Sequence, residues 1–358
     1  MDTTLLLQCL GIALVAGLAS YGLSFVSRWL AKKAKAIDQP KGGKKIHRVP
    51  TPMFGGLGIF VVGCLGVGVL AKLGLLTPAI STSQLLGFGV GALILLVVGL
   101  MDDRWTLPPR ILFPLYLFAC VCVVLGGTSV REITNPIGGV FSLVTHQWSL
   151  LGGALSFAWP ADILTIGWLI VLLFATKLLD GLDGLVTGQA SIGAVIILLL
   201  CLLPAYHLPA VALLSALMLG AYVGFLPVNM FPAKHFLGES GSTLAGFTLG
   251  FLAIASGAKL ATALMALGVA LIDIALVILG RLRRRVPITQ GDRTHLHHQL
   301  LDAGFTQRGA VAILWSIGLL FGLAALALQT RGKLILMAFL FVVTIGLSMY
   351  ATRRSKLL

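Results

Sequence analysis

Long apolar runs separated by short polar or glycine-rich stretches occupy most of the chain. A helix needs about 17–25 apolar residues to cross the hydrocarbon core of a bilayer. Eleven runs approach or reach that length, near residues 5–27, 53–72, 84–101, 111–127, 162–179, 187–203, 209–226, 242–257, 260–280, 309–328 and 333–351. The pattern predicts an all-α integral membrane protein of about eleven transmembrane helices, forming one polytopic domain over residues 1–358. The runs 242–257 and 260–280 can also be read together as a tight hairpin. The polar segments between runs are too short for a separate soluble domain. A long connector with β-type composition lies between 128 and 161 and is expected to form a short extracytoplasmic hairpin. No heptads, repeats or low-complexity tracts interrupt the pattern.

Composition agrees with this reading. Of the 358 residues, 58% are hydrophobic and only 11% charged, whereas soluble domains carry about 25% charged residues. The formal net charge of +14 raises nucleic acid as a partner, but the placement of the charges argues against it. With the N-terminus outside, 21 of the 26 basic residues fall in inner loops, and only Lys72, Arg131, Lys259, Arg331 and Lys333 lie outside. Reversing the topology inverts that bias, so the positive-inside rule places the C-terminus in the cytoplasm. The five cysteines (Cys9, Cys64, Cys120, Cys122, Cys201) sit inside apolar runs and read as small hydrophobes, with no disulfide framework. The first run is long and lacks a basic flank before it, so it reads as a span rather than a cleaved signal.

The polar residues then gather at one rim. Eight of the twelve acids (Asp38, Asp102, Asp103, Asp180, Asp183, Glu239, Asp292, Asp302) lie in or beside the inner loops, as do His47, His235, His295, His297 and His298. A channel or transporter more often sets charges in line at mid-membrane. Clustering at one rim suits an enzyme that meets a soluble substrate at the membrane surface.

Five stretches carry candidate chemistry. In Lys177-Leu-Leu-Asp180-Gly-Leu-Asp183-Gly the two carboxylates fall on one helical face, suited to one cation or to capping a turn. Asp102 and Asp103 end an apolar run before Arg104. They point about 100° apart on a helix, so they serve two partners or form a solvated helix end paired with Arg104. Residues 38–56 combine Lys44, Lys45 and His47 with Pro50-Thr51-Pro52 and Gly55-Gly56. The lysines suit phosphate oxygens or a plain positive-inside flank. Residues 229–242 offer Asn229, an aromatic Phe236 for stacking or for the core, Glu239 for a metal, and a Gly/Ser turn opening a helix. Last, Asp292-Arg293-Thr-His295-Leu-His297-His298 suits a diphosphate, with zinc as the competing reading. The abundant carboxylates favour a hard cation such as Mg²⁺ over zinc.

In this order, His47…Pro-Thr-Pro…Gly-Gly, Leu100-Met-Asp-Asp-Arg, Asp180-Gly-Leu-Asp-Gly-Leu, Pro232-Ala-Lys…Phe-Leu-Gly-Glu-Ser-Gly-Ser and Asp292-Arg-Thr-His-Leu-His-His resemble the polyprenyl-phosphate N-acetylhexosamine-1-phosphate transferases. These belong to glycosyltransferase family 4, and the histidine motif resembles its WecA/TagO branch rather than the related MraY enzymes. The resemblance implies transfer of a sugar 1-phosphate from a UDP-sugar to a polyprenyl phosphate of the undecaprenyl type. Mg²⁺ is the implied ion, with Mn²⁺ as a substitute, and UMP is released. The active site is expected to face the cytoplasm from a prokaryotic cell membrane, at the first membrane step of a cell-envelope polysaccharide such as lipopolysaccharide or teichoic acid.

The family pattern implies that Asp102 is the base, beside Asp103, and that Asp180, Asp183, His295, His297 and His298 are active-site groups. Lys44, Lys45, His47, Thr51, Lys177, Asn229, Phe236 and Arg293 are the expected substrate contacts, with Glu239, Asp102 and Asp103 on the metal side. Two positions depart from the pattern: Glu239 stands where the family has Asp, and Lys177 where it has Asn. Asp273, the acid clearly within a span, is read as structural pairing near Arg281 and Arg284. N-Acetylglucosamine is the expected sugar and membrane lipids the surroundings, and a homodimer stays open. The rival readings are an MraY-type phospho-MurNAc-pentapeptide transferase, a transporter, and an inactive lipid-phosphate-binding relative.

Overall fold

A computed structural model describes residues 2–40, 49–135, 137–150, 155–257, 260–286 and 294–357. A helix covers each of the eleven apolar runs. They are α1 (Thr3–Lys33), α2 (Gly55–Lys72), α3 (Thr82–Trp105), α4 (Pro109–Leu125), α5 (Ala161–Leu179), α6 (Leu185–Leu202), α7 (Pro209–Asn229), α8 (Gly238–Ala255), α9 (Leu260–Arg284), α11 (Gln307–Ala327) and α12 (Thr330–Ser355). A further short helix, α10 (Leu296–Asp302), precedes α11. The protein is thus an all-α integral membrane protein. Among the described residues, nine helices are long and apolar enough to cross a bilayer, and α4 and α8 fall outside that group. Helices suit this setting because they satisfy their own backbone hydrogen bonds.

Local chemistry sets the helix starts. Asp2 accepts from the N–H groups of Thr4 and Leu5 ahead of α1. Ser81 and Gln84 form a reciprocal capping box ahead of α3. Proline opens α4 and α7, where its missing N–H leaves nothing unsatisfied.

Burial separates centre from edge. The apolar windows of α6 and α7 are 83% and 78% buried, against 22% for α1 and 17% for α12. Helix α8 is buried along nearly its whole length. Phe247 and Phe251 on α8 stack on Phe88 of α3, with ring centroids 5.4 and 4.4 Å apart. The outer helices instead present leucines and aromatics such as Leu7, Leu14, Trp29, Ile335 and Phe339, as expected for surfaces that meet lipid.

The 128–161 connector holds two consecutive hairpins rather than one. β3 (Glu132–Thr134) pairs with β4 (Val140–Ser142), and β5 (Val144–Leu150) with β6 (Leu155–Pro160), which runs straight into α5. A tight turn closed by the Asn135 N–H on Gly139 O, 3.0 Å, divides the first pair. The sequence reading also did not foresee a two-residue ladder between β1 (Ile37–Asp38) and β2 (Thr51–Pro52), which brings the α1–α2 connection back on itself.

Candidate active site

The ends of α3, α5, α7 and α8 meet around a recess of about 610 Å³. Asp102, Asp103, Lys177, Asp180, Asp183, Asn229, Phe236, Glu239 and His298 all line it, so stretches far apart in sequence share one space. Asp38 and Met53 close the side nearest the β1–β2 ladder.

Three of its carboxylates are held by backbone N–H groups. Asp102 Oδ1 accepts from Leu107 N at 2.6 Å. Asp103 Oδ1 accepts from Glu239 N at 2.8 Å, and its second oxygen lies 3.4 Å from Ser240 Oγ. Asp103 therefore supplies an acceptor oxygen to the N-terminus of α8, where the first N–H groups lack partners within the helix. Gly238 makes this possible. Its φ is +75°, and a Cβ there would stand 2.5 Å from Asp103 Oδ2. Asp183 Oδ2 accepts from Ala233 N at 3.0 Å.

Asp180 differs from the rest: no described residue hydrogen-bonds its carboxylate. It follows the last turn of α5, and its side chain is open to the recess. Protein nevertheless surrounds it closely. That loss of bulk water, followed by the charges of Glu239 and Asp183, pushes its carboxyl up to about 8.

Glu239 has a different kind of partner. Its Oε1 forms an ion pair with Lys177 Nζ and accepts from the Tyr116 hydroxyl. The Lys177 ammonium also lies 3.4 Å from Tyr116 Oη and 5.1 Å from the centre of that ring. Both charged side chains are mostly buried, 21% and 13% exposed. Sequence reasoning missed Tyr116. Its signal was a single phenol inside the apolar run of α4.

The histidines form a layered arm behind the recess. His298 reaches the wall, whereas His295 and His297 are buried. The rings of His295 and His297 stack at 5.7 Å, and those of His297 and His298 lie 4.2 Å apart. His297 packs against Gly181, where any side chain would strike its imidazole. At the root of the arm, Asp273 Oδ2 lies 2.8 Å from His295 Nδ1, and Oδ1 accepts from Leu296 N at 2.8 Å. The carboxylate can only accept, so His295 carries its proton on Nδ1. Asp273, read from the sequence as a structural pairing near Arg281 and Arg284, has a histidine of the site as its partner.

Other expected contacts take structural places. Thr51 is buried in the β1–β2 ladder with its hydroxyl donating to Val49 O, 3.0 Å, and it is not among the residues lining the recess. Asn229 accepts from Thr187 Oγ1 at 2.6 Å and donates to His235 O at 3.1 Å, so its amide braces the loop that carries Phe236. Phe236 is half-buried at the wall. Its N–H donates to Pro52 O, while Gly55 and Gly56 donate to the carbonyls of Phe236 and Leu237. The Pro-Thr-Pro and Gly-Gly pieces thus hold this loop in place. Lys44, Lys45, His47, Asp292 and Arg293 lie outside the described residues.

Among the described residues, no group of three or more His, Cys, Asp or Glu is arranged to hold a metal ion. Glu239, Asp102 and Asp103, expected on the metal side, are engaged by Lys177 and Tyr116, by Leu107 N, and by Glu239 N. In this arrangement Glu239 reaches a divalent ion only by giving up its bonds to Lys177 and Tyr116.

A multi-pass membrane protein with a charged recess at one end of its helical bundle is the class that these features define. The model of glycosyl transferase family 4 matches residues 85–257. The chain is 30% identical over 329 residues to a probable undecaprenyl-phosphate N-acetylglucosaminyl 1-phosphate transferase of Bacillus subtilis, covering 90% of this chain and 85% of that one. It is 30% identical to the decaprenyl-phosphate N-acetylglucosaminephosphotransferase of Mycobacterium tuberculosis, over 85% of this chain and 78% of that one. Identity to the undecaprenyl-phosphate alpha-N-acetylglucosaminyl 1-phosphate transferase of Escherichia coli K12 is 25%, over 83% and 79%. The chain belongs to glycosyl transferase family 4.

Proposed function

We propose that the protein transfers N-acetylglucosamine 1-phosphate from UDP-N-acetylglucosamine to a polyprenyl phosphate of the undecaprenyl type, releasing UMP. The recess faces the cytoplasm of a prokaryotic cell, and the product starts a cell-envelope polysaccharide. The printed activities of the relatives support this reading. So does the positive-inside count, which puts the ends of α3, α5 and α7 inside. The observation that carries it is the recess itself, where an open carboxylate, an ammonium and an imidazole line one polar space at a helix N-terminus.

In this reading an oxygen of the lipid phosphate bonds to the sugar-bearing phosphorus of the donor. The bond from that phosphorus to the bridging oxygen breaks, and UMP leaves with the electron pair. Holding both anions in one recess converts an encounter into a positioned reaction. Asp180, whose affinity for a proton lies near neutral pH, is suited to accept the proton of the lipid phosphate. Asp102, the base implied by the family pattern, keeps one carboxylate oxygen free of Leu107 and stands in the same recess. Lys177 and His298 line the wall as positive or hydrogen-bonding partners for diphosphate oxygens. Phe236 offers a face for uracil.

The test is UMP release by the purified full chain in detergent or proteoliposomes. UDP-N-acetylglucosamine, UDP-N-acetylgalactosamine and UDP-MurNAc-pentapeptide are each supplied with undecaprenyl phosphate. Release with the first, dependent on the lipid, is expected. Release with the pentapeptide donor alone would transfer the protein to the MraY-type reading, and none with any donor would leave it a binding relative.

A further inference from the structure

Three helices meet at Glu239. It opens α8, Lys177 comes from the last turn of α5, and Tyr116 from within α4. Lys177 and Glu239, the two positions at which the resemblance implied a departure from the family pattern, form one ion pair in the structure. A carboxylate oxygen that accepts from both an ammonium and a phenol has to give up those bonds before it can enter the shell of a divalent ion. An ion beside it would also face a fixed positive charge. Lys177 Nζ has three N–H groups, and Glu239 and Tyr116 account for two. One remains, on a side chain that lines the recess.

We infer that the Lys177 ammonium, seated on Glu239 and Tyr116, is the resident cation of this recess, standing where a divalent ion would otherwise bind Glu239 and presenting its remaining N–H to a phosphate oxygen. This rests on the proposed transfer for the identity of the phosphate. The cation site itself does not depend on it. The pair is prearranged, since buried charges held by partner groups keep their geometry without reorganising around each new substrate. A lysine also holds phosphate as a point charge without the angular demands of an octahedral ion. Transfer chemistry at this recess then proceeds without a divalent ion on Glu239.

Two measurements test it. Mn²⁺ binding to the purified full chain, without substrates, is followed by the loss of the free-ion electron paramagnetic resonance signal. Wild type is expected to take up little Mn²⁺, and the Lys177→Asn/Glu239→Asp double variant to bind one ion at least about tenfold more tightly, a change of about 1.4 kcal/mol. Lys177→Gln alone, which removes the charge and keeps Glu239, is expected to move the same way and serves where the double variant does not fold. Tight stoichiometric binding by wild type that Glu239→Gln removes would overturn the inference, as would no gain in either variant. In the second measurement, the Mg²⁺ concentration for half-maximal UMP release is titrated in wild type and Lys177→Gln. Freeing Glu239 is expected to lower it, and an unchanged Mg²⁺ requirement in an active variant would overturn the inference. If no UMP forms under any condition, the proposed transfer fails, while the Mn²⁺ titration still decides which cation the recess holds.

Discussion

The acidic wall of the recess and its histidine arm are held in opposite ways. Asp102, Asp103 and Asp183 are each fixed by a backbone N–H from another segment: Leu107, Glu239 and Ala233. On the histidine side, the side chains fix one another. Asp273 holds His295, which stacks on His297, which in turn contacts His298 at the wall. A wall pinned by main chain is as rigid as the helices that carry it, and its geometry survives single side-chain changes elsewhere. An arm pinned by one buried carboxylate transmits any change at that carboxylate to the wall. Asp180 has no such pin, so it can change protonation without disturbing a loop. The lesson is that structural and chemical duties are divided among residues of identical type.

The sharpest way to break this contrast is at Asp180. Asp180→Asn removes the open carboxylate and no described hydrogen bond. It should lower kcat for UMP release by about 10²–10⁴-fold, the range of a lost acid–base group, in a protein that stays monodisperse. Asp103→Asn, by contrast, presents an amide to Glu239 N and Ser240 Oγ. It should show its first effect as a lower melting temperature, and equal kcat losses with unchanged stability in both variants would erase the distinction.

Next in size is Asp273→Asn. The amide keeps an acceptor for Leu296 N but offers N–H to His295, forcing the proton from Nδ1 to Nε2. We expect a fall in kcat on the order of 10²-fold with donor KM nearly unchanged. A tautomer change should appear in the ¹⁵N spectrum of selectively labelled histidine. Wild-type kcat in the folded variant would return Asp273 to pure packing.

A smaller effect belongs to Phe236, since stacking on an aromatic contributes about 1–3 kcal/mol per base. Phe236→Ala should raise donor KM about tenfold or more and leave the KM for lipid phosphate near its wild-type value. An unchanged donor KM would place Phe236 in the structural brace formed with Pro52, Gly55 and Gly56.

The smallest expected effect concerns stability and pH. His235 is fully buried, donating to Met53 O at 2.7 Å. Burial, and then the charge of Arg28, lower its pKa to about 4. The unfolded chain therefore binds the extra proton first, and stability is lost as pH falls from about 6.5 toward 4, by up to about 1.4 kcal/mol per unit. Asp180 acts in the opposite sense. Its raised pKa makes the folded state the better proton binder between about 4 and 8, so that contribution is lost as pH rises through about 8. His235→Gln should flatten the acid side of the melting-temperature profile and Asp180→Asn the alkaline side. The same slope in either variant and wild type would remove that group from the account.

Hydropathy and charge along the chain determined much of this protein. The apolar runs located every long helix, with α1 ending about six residues beyond its run, because a segment that must satisfy its own backbone in lipid has little choice but to be helical. The placement of acids and histidines between those runs identified most of the residues that later meet in the recess. Asp102, Asp103, Asp180, Asp183, Glu239 and His298 were all legible in this way, since a charge at the end of an apolar helix is costly without a purpose. The second hairpin of the 128–161 connector was not, because short turns there compete on similar terms.

Only the tertiary structure decided which of these residues touch. Nothing local joins Lys177 to Glu239, or Tyr116 to either, across separations of 62, 123 and 61 residues. The same holds for Asp273 and His295, and for the amide of Asn229, which turned out to brace a loop. A helix's own periodicity reports which face is apolar, but not its rotation against each neighbour or the depth at which it packs. Those are fixed when the central helices α6, α7 and α8 are buried against the rest. That burial decides which carboxylate meets a backbone N–H, which meets an ammonium, and which is left open to the recess.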